Sequence, residues 1–345
     1  MKVTAGKLGL WLCGAAAAAG ALYVAVWMMV AAQVRTLSDE WIASQRREGW
    51  SIAAGPVTVH GFPRWPQVTL TAVQVTAPLG DGGWTWTAER ATVVPAALDL
   101  TRLRILAPGT QTVALPGQPT WTVSSYRAVL EIAVDDSGKW QRGDLTFADL
   151  EVRDAEAIPL FGAARFNASL ALADGPRGPE LPFAAFSGSV DTLRLALAIR
   201  PFTRTVTTAR LDADLVGAVA PGRLSDALDA WRDGGGTLEV RRFLVDWPPL
   251  TIAGNGTLAL DNDLQPIAAF STQISGFSET IDVLEADGMM DADDAATANV
   301  VLGLMAQAPP DGGPAQLNIP VSVQDRQLSV GPFPLLNLPA IEWDE

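Results

Sequence analysis

Few residues in this chain are of a kind that does chemistry. His60 is the only histidine and Cys13 the only cysteine among 345 residues. A zinc site needs several nitrogen or sulfur ligands, and a Ser-His-Asp triad needs a histidine oriented by a partner. His60, beside Gly61 in a short alternating stretch, has neither and reads as a turn or strand-edge histidine. Gly254-Asn255-Gly256 is the nearest approach to a glycine loop. A dinucleotide loop requires Gly-x-Gly-x-x-Gly between a strand and a helix. Here the sixth position is Ala259 and the pattern continues as a strand, so a turn or bulge is expected. Asp287, Asp291, Asp293 and Asp294 could offer oxygen ligands to calcium, but the alternating Asp spacing and closing Glu of a calcium loop are missing. They read as a solvated helix start. Asn167-Ala168-Ser169 and Asn255-Gly256-Thr257 fit the glycosylation pattern, yet both fall in expected strands. The sequence therefore assigns no catalytic residue, no cofactor and no metal ligand, and the expectation is a protein that is not an enzyme.

What remains is apolar patterning, and it is mostly of period two. Val68 and Leu70, then Val73 and Val75, alternate with threonine and glutamine; the parity changes between Leu70 and Val73, which predicts a bulge or bend. Trp84 and Trp86 share a face. Ala107-Pro108-Gly109 reads as a turn, and Asp135-Asp136-Ser137-Gly138 as a hairpin turn. Leu145 with Phe147, then Leu150 with Val152, predict a pair of strands. Phe166, Ala168, Leu170 and Leu172 line one strand face; Leu193, Leu195, Leu197 and Ile199 form the cleanest alternating run, which Leu211, Ala213 and Leu215 repeat. Helices are few: one capped by Ser225 with Leu228 and Trp231, one capped by Ser278, and one over residues 295–307. A hairpin around Asp325-Arg326 is expected to be the last, because the prolines of the tail argue against a central strand.

The fold class is mainly β (a β-rich α+β chain): twisted or curved antiparallel sheets in two lobes, residues 51–222 and 223–345, with a few helices. An echo between Trp65-Pro66-Gln67-Val68-Thr69-Leu70 and Trp247-Pro248-Pro249-Leu250-Thr251-Ile252 is the sequence basis for two lobes, against chance recurrence in a chain rich in Trp and Pro. Few helices are available to cover so many strands. A continuous apolar face left uncovered would mark an interaction site. The candidate groove residues are Trp65, Trp84, Trp86, Leu193, Leu195, Leu197 and Trp247.

Before the strands, an uncharged run of 25 residues opens at Leu8 and closes at Ala32. As a helix it would reach about 37 Å, enough for a hydrocarbon core of about 30 Å. Lys2 and Lys7 precede it, and Trp11 and Trp27 stand near its ends. The positive leading segment is expected to stay in the cytoplasm while the rest crosses. A cleaved signal is the rival, but its apolar region usually runs only about 7–15 residues. The expected layout is an anchor over residues 1–34, a juxtamembrane helix over 35–50, then the β-rich part. With 24 Lys and Arg against 38 Asp and Glu, the net charge is −14. That surface repels phosphate backbones, which excludes nucleic acid as a partner.

Gly61-Phe62-Pro63, Asp81-Gly82-Gly83-Trp84-Thr85-Trp86, Ala107-Pro108-Gly109 and Val330-Gly331-Pro332-Phe333-Pro334, in that order behind one anchor, resemble the domain of unknown function 2125 family. The resemblance implies an envelope protein of diderm bacteria, single-pass in the inner membrane with its bulk in the periplasm, and no assigned reaction. Residues 252–264 with Gln265-Pro266, Ile274-Ser275-Gly276 and residues 328–332 are similar to the closing part of AsmA-like envelope proteins. That similarity implies a long curved sheet with an apolar inner face and a role in lipid handling or outer-membrane assembly. Two expectations follow: a non-enzymatic protein holding lipid or acyl chains in an apolar groove, or a scaffold for another envelope protein.

Overall fold

The computed structural model describes the chain apart from residues 1–4, 48, 80–81, 97–98, 137, 174–177, 179, 221–222, 309–312 and 344–345. Side chains of residues 5–19, 34, 37–38, 41, 79, 82, 95–96 and 99–100 also lie outside the description. The turn expected at Asp81, Leu98, Ser137 and the loops over 174–182 and 309–314 fall wholly or partly outside it.

Helix α1 (Ala5–Arg47) is followed by β1 (Ser51–Ala53), β2 (Thr58–His60), β3 (Gln67–Leu79), β4 (Gly82–Ala96), β5 (Asp99–Leu106), β6 (Gly109–Ala114), β7 (Trp121–Ser125) and β8 (Arg127–Val134). Then come β9 (Trp140–Arg153), β10 (Pro159–Leu172), β11 (Pro182–Leu195), β12 (Thr205–Val216), α2 (Leu224–Asp233), β13 (Thr237–Trp247), β14 (Leu250–Leu260) and β15 (Pro266–Ser275). The chain closes with α3 (Phe277–Ala286), α4 (Ala292–Met305), β16 (Gln316–Gln324), β17 (Gln327–Val330) and β18 (Phe333–Asn337). The strands form one sheet, and every described ladder is antiparallel. From β3 onward the lateral order follows the chain, so the sheet is a meander built from local hairpins. It runs unbroken across residues 222 and 223, where β12 pairs directly with β13 and α2 is the insertion between them.

Three rows consist of strands lying end to end. β1 and β2 pair with opposite halves of β3. β5 and β6 pair with opposite halves of β4, and β7 and β8 with opposite halves of β9. Ala107-Pro108-Gly109 is therefore not a chain-reversing turn. It interrupts one long strand, because Pro108 has no N–H to give the ladder and Gly109 sits at φ +91°.

That interruption belongs to a row crossing the first two-thirds of the sheet. Ala72 in β3 (φ +48°), Asp149 in β9 (φ +50°) and Thr192 in β11 (φ +53°) adopt left-handed backbone inside strands. Each keeps the register of its ladder while inverting the alternation of side chains. Val68, Leu70, Val73 and Val75 thus share one face, as do Leu145, Phe147, Leu150 and Val152. The parity change expected between Leu70 and Val73 is real, but a single left-handed residue makes it. The expected pair of strands over 145–152 is one strand, β9.

Other expectations change in detail. β11 ends at Leu195, so Leu197 and Ile199 lie past the strand rather than in it. Gly254-Asn255-Gly256 is neither turn nor bulge; it lies inside β14, and the irregularity is on the facing strand, between Val240 and Phe243 of β13. A Cβ at Gly254 would meet the Ser271 carbonyl oxygen at 2.3 Å and the Phe243 ring at 2.9 Å, so glycine is what lets that ring cross the strand. Ser225 does not cap α2, which begins at Leu224 after Arg223. Ser278 does not cap α3 either: Gly276 holds that position in left-handed conformation, and the Ser278 hydroxyl donates to Asn299 Oδ1 at 2.8 Å. α4 runs over Ala292–Met305, with Gln307 already bridged to Gln316. The tail adds β18 at the end of the meander, on β17.

A compact protein of 36.4 kDa exposes about 13,500 Å². This chain exposes 21447 Å². The projecting helix α1 contributes, but the sheet does too: no large side chain is fully buried among the described residues. Among the described residues, no helix is long and apolar enough to cross a membrane.

Candidate functional site

The ladder registers sort side chains onto two faces. Starting from Phe166↔Val190 and Leu170↔Phe186, one face carries Phe147 and Leu145 on β9, Ala168 and Leu172 on β10, Leu193 on β11, Leu211, Ala213 and Leu215 on β12, and Val240, Phe243 and Val245 on β13. It continues through Ile252 and Leu258 on β14, Phe270 and Ile274 on β15, Leu317, Ile319 and Val321 on β16, to Leu328 and Val330 on β17. Toward the N-terminal side the same face carries Leu130, Ile132, Leu103, Ile105, Val93, Trp84, Trp86, Val68 and Val75. The apolar face is continuous from β3 to β17.

Two places on it are packed. Leu150, Val152 and Ala163 are buried beneath Trp121, Val123, Phe147, Phe166, Val190 and Leu193. At the other end of the strands, α2 lays Trp231 over Leu260 and Leu264. Its indole donates to the Val216 carbonyl at 2.7 Å, and Gly236 makes room, since a Cβ there would stand 2.3 Å from the indole nitrogen. Between these clusters Leu170, Phe186 and Leu211 occupy adjoining strands on the apolar face, 44%, 36% and 36% exposed. Gly188 lies under the Phe186 ring. These three side chains are the uncovered centre of the apolar face and form the candidate binding patch.

The opposite face is polar, and several of its side chains pair with one another. Hydroxyl pairs cross the strands at Thr69/Thr92, Thr76/Thr85 and Thr87/Thr112. Thr146, Asn167 and Ser189 are linked in sequence across three strands. Arg242 pairs with Asp212 at 2.9 Å, Arg241 with Asp214 at 3.2 Å and Arg104 with Glu131 at 2.6 Å. Arg142 grips both oxygens of Asp144 and holds that carboxyl below the ordinary carboxylate range, against the opposing effect of partial burial. The surface depressions lie on this face, where Ser169, Ser187 and Ser189 sit between Arg142, Arg210 and Arg242. They are gaps over short side chains, open to water, and their walls include the Arg142–Asp144 and Arg242–Asp212 pairs.

Of the residues singled out from sequence, Trp84, Trp86, Leu193 and Leu195 are brought to the apolar face. Trp84 is covered edge-on by Trp50 at 6.0 Å, and Trp86 donates to Gln111 Oε1 at 2.8 Å. Leu197 is 78% exposed beyond β11. Trp247 ends β13, stacked on Phe202 at 4.6 Å with its indole on the Thr203 carbonyl. Trp65 is in the β2–β3 turn, at the other end of the strands from Trp247. The seven therefore do not form one groove. His60 lies exposed on β2 with Nε2 3.3 Å from the Thr69 hydroxyl. Asp291 holds the N-cap position of α4 without a side-chain cap bond and Asp293 and Asp294 fill its first turn, a solvated helix start as expected, whereas Asp287 is not part of it and closes α3 instead. Phe186 was not anticipated; alternation over 182–190 (Phe183, Ala185 and Ser187 against Phe186, Gly188 and Val190) was its only signal, blurred by small residues on both faces.

Fold and faces together define a class: a single-sheet antiparallel meander with one apolar and one polar face and, among the described residues, no assembled catalytic group. Residues 27–339 match the family described as uncharacterized protein conserved in bacteria (DUF2125), and the chain belongs to it. No curated protein and no solved structure matches the chain.

Proposed function

We propose that this chain is a non-enzymatic, membrane-anchored envelope protein that holds acyl chains or lipid against the apolar face of its sheet, in envelope biogenesis or maintenance. The observation that carries the reading is the apolar face itself, continuous from β3 to β17 and uncovered at Leu170, Phe186 and Leu211. Exposed apolar area of this extent on an otherwise acidic chain costs free energy in water, about 25 cal/mol per Å², and an acyl chain would remove it. The uncharged run from Leu8 to Ala32 supports anchorage, and the C-terminal similarity to AsmA-like proteins supports lipid handling. The positive leader supports an N-terminus in the cytoplasm with the sheet in the periplasm.

The test is photo-crosslinking of the full chain in native membranes with a lipid carrying a photoactivatable acyl chain. Adducts on peptides containing Phe186 or Leu211 are expected. Adducts confined to α1 would remove lipid holding and leave only the anchor.

A second reading, a scaffold for another envelope protein, is favoured by one observation. α4 exposes Val300, Val301, Leu304 and Met305 at 63%, 49%, 84% and 54%. In that reading α4 is the docking element, and a stoichiometric protein crosslinked to α4 with no acyl adduct on the sheet would select it.

A further inference from the structure

We propose that the β2–β3 turn is an interfacial seat: Phe62 and Trp65, backed by Tyr23 and Trp27 of α1, insert at the boundary between head groups and acyl chains of the bilayer in which the run from Leu8 to Ala32 is anchored. The inference rests on the anchor reading above and adds a second contact, made by the sheet.

The turn is built to present aromatics. Gly61 has φ +122°, and a Cβ on it would stand 2.2 Å from the Trp65 carbonyl oxygen, so only glycine closes the loop. The Arg64 amide donates to the Gly61 carbonyl at 2.6 Å. Held this way, Phe62 and Trp65 are 52% and 43% exposed, which a turn facing only water has no reason to keep.

The turn is also fastened to the anchor helix. The Phe62 ring lies 5.6 Å from Trp27, edge to face, and 6.1 Å from Tyr23. The Trp27 indole donates to the Arg64 carbonyl at 2.6 Å, and the Tyr23 hydroxyl donates to the Pro63 carbonyl. Around them α1 exposes Leu22, Val26, Met28 and Met29.

Depth follows from helix rise. A hydrocarbon core of about 30 Å measured from Leu8 takes about 20 residues and ends at about Trp27. Whatever packs on Trp27 lies at that boundary, where tryptophan and tyrosine are favoured. Arg64, exposed in the same turn, can extend its guanidinium to lipid phosphates while its stem stays among the rings. The contact is confined to this corner. Other turns at the same end of the strands carry Asp135 and Asp136, or Asp261 and Asp263, which anionic head groups repel.

The experiment reconstitutes the full chain in vesicles of phosphatidylcholine and phosphatidylglycerol, on a Cys13→Ser background. An environment-sensitive fluorophore is attached at Trp65→Cys or, as a control, at Asp136→Cys. With the chain floating on the vesicles, the label at position 65 is expected to shift to the blue and to be quenched by lipids carrying a shallow nitroxide, while the label at 136 does neither. Equal, water-like emission at both positions in floating protein overturns the seat and leaves the anchor standing. Failure to float overturns both. Adding Phe62→Ser to the labelled chain is expected to preserve flotation and melting temperature and to lose the blue shift; a retained shift also overturns the seat.

Discussion

At the level of single residues, the row of left-handed positions keeps one face apolar, and it is strained. Thr192 is the worst placed of the three, because a β-branched side chain at φ +53° crowds its own backbone. Such a conformation costs about 1–3 kcal/mol, while glycine's extra freedom in the unfolded chain costs about 0.5–1 kcal/mol. Thr192→Gly is therefore expected to raise stability by about 1 kcal/mol. Thr192→Asn should do the same with less cost in entropy, since asparagine tolerates this region. Urea unfolding with an unchanged slope checks both, and a loss of stability in both would mean that Thr192 makes a contact worth more than its strain. Sequence showed where such a row lies but not what it is. The parity break at Leu70 and Val73 is visible in the letters, yet a bulge, a turn and a left-handed residue all produce it. Only the ladder register, unbroken from Thr71 to Val73, separates them.

Asp144 adds a pH dependence at the same scale. Its carboxyl is held below the ordinary range by Arg142, so the unfolded chain binds the proton more tightly than the folded one. The stabilisation is present above the unfolded value, near pH 4, and disappears as pH falls through the lower folded value. Both groups are more than a third exposed, so solvent screens the pair and the effect is small. Asp144→Asn should lower the melting temperature slightly at pH 7, and by less as pH falls below the unfolded value toward the lower folded one. A difference that stays constant or grows on acidification would mean that the substitution acts through packing instead.

At the level of elements, α2 is the helix whose cover of the sheet is packed. Trp231 is 5% exposed and joins Leu228 to Leu260, Leu264, Leu215, Val219 and Trp343. Trp231→Ala should cost about 3–5 kcal/mol, the range for emptying a buried aromatic site. Trp231→Phe keeps most of the volume and loses the bond to the Val216 carbonyl, worth about 1 kcal/mol. Denaturant midpoints give both values, and a cost for alanine near that of phenylalanine would show α2 to be a loose appendage. The sequence marked this helix well, because Leu228 and Trp231 at helical spacing before three glycines leave little choice. Side-chain chemistry favours serine as its cap, at Ser225, whereas Arg223, two residues earlier, holds the N-cap position. At α3, Gly276 is set by its backbone, since a Cβ there would meet the Pro249 carbonyl oxygen at 1.9 Å. Caps decided by a distant strand cannot be read from local letters.

At the level of the molecule, β class and antiparallel pairing were legible because period-two alternation survives in nearly every strand. Lateral order was not, since alternation is silent about which strands are neighbours. The candidate groove residues divide for the same reason. Residue type groups Trp65, Leu197 and Trp247 with Trp84, Trp86, Leu193 and Leu195, whereas the structure puts those three at strand ends or in turns. Acyl-chain binding should therefore be sensitive to which face is altered. Leu170→Asp with Leu211→Asp places two carboxylates on the apolar face at positions already 44% and 36% exposed, so the fold is expected to survive with a reduced melting temperature. Ala171→Asp places one on the opposite face, across from Arg142. Charge on the apolar face should abolish the photo-crosslink to Phe186 peptides, because a desolvated carboxylate beside an acyl chain costs several kcal/mol. Charge on the polar face should leave it intact. Loss of the crosslink in both variants would indicate a general disturbance of the sheet, and retention in both would move the lipid to α1 and its aromatic corner. The arrangement makes physical sense if the faces are unequal: the polar side carries pairs such as Arg142–Asp144, Arg241–Asp214 and Arg242–Asp212, while the apolar side leaves Leu170, Phe186 and Leu211 uncovered.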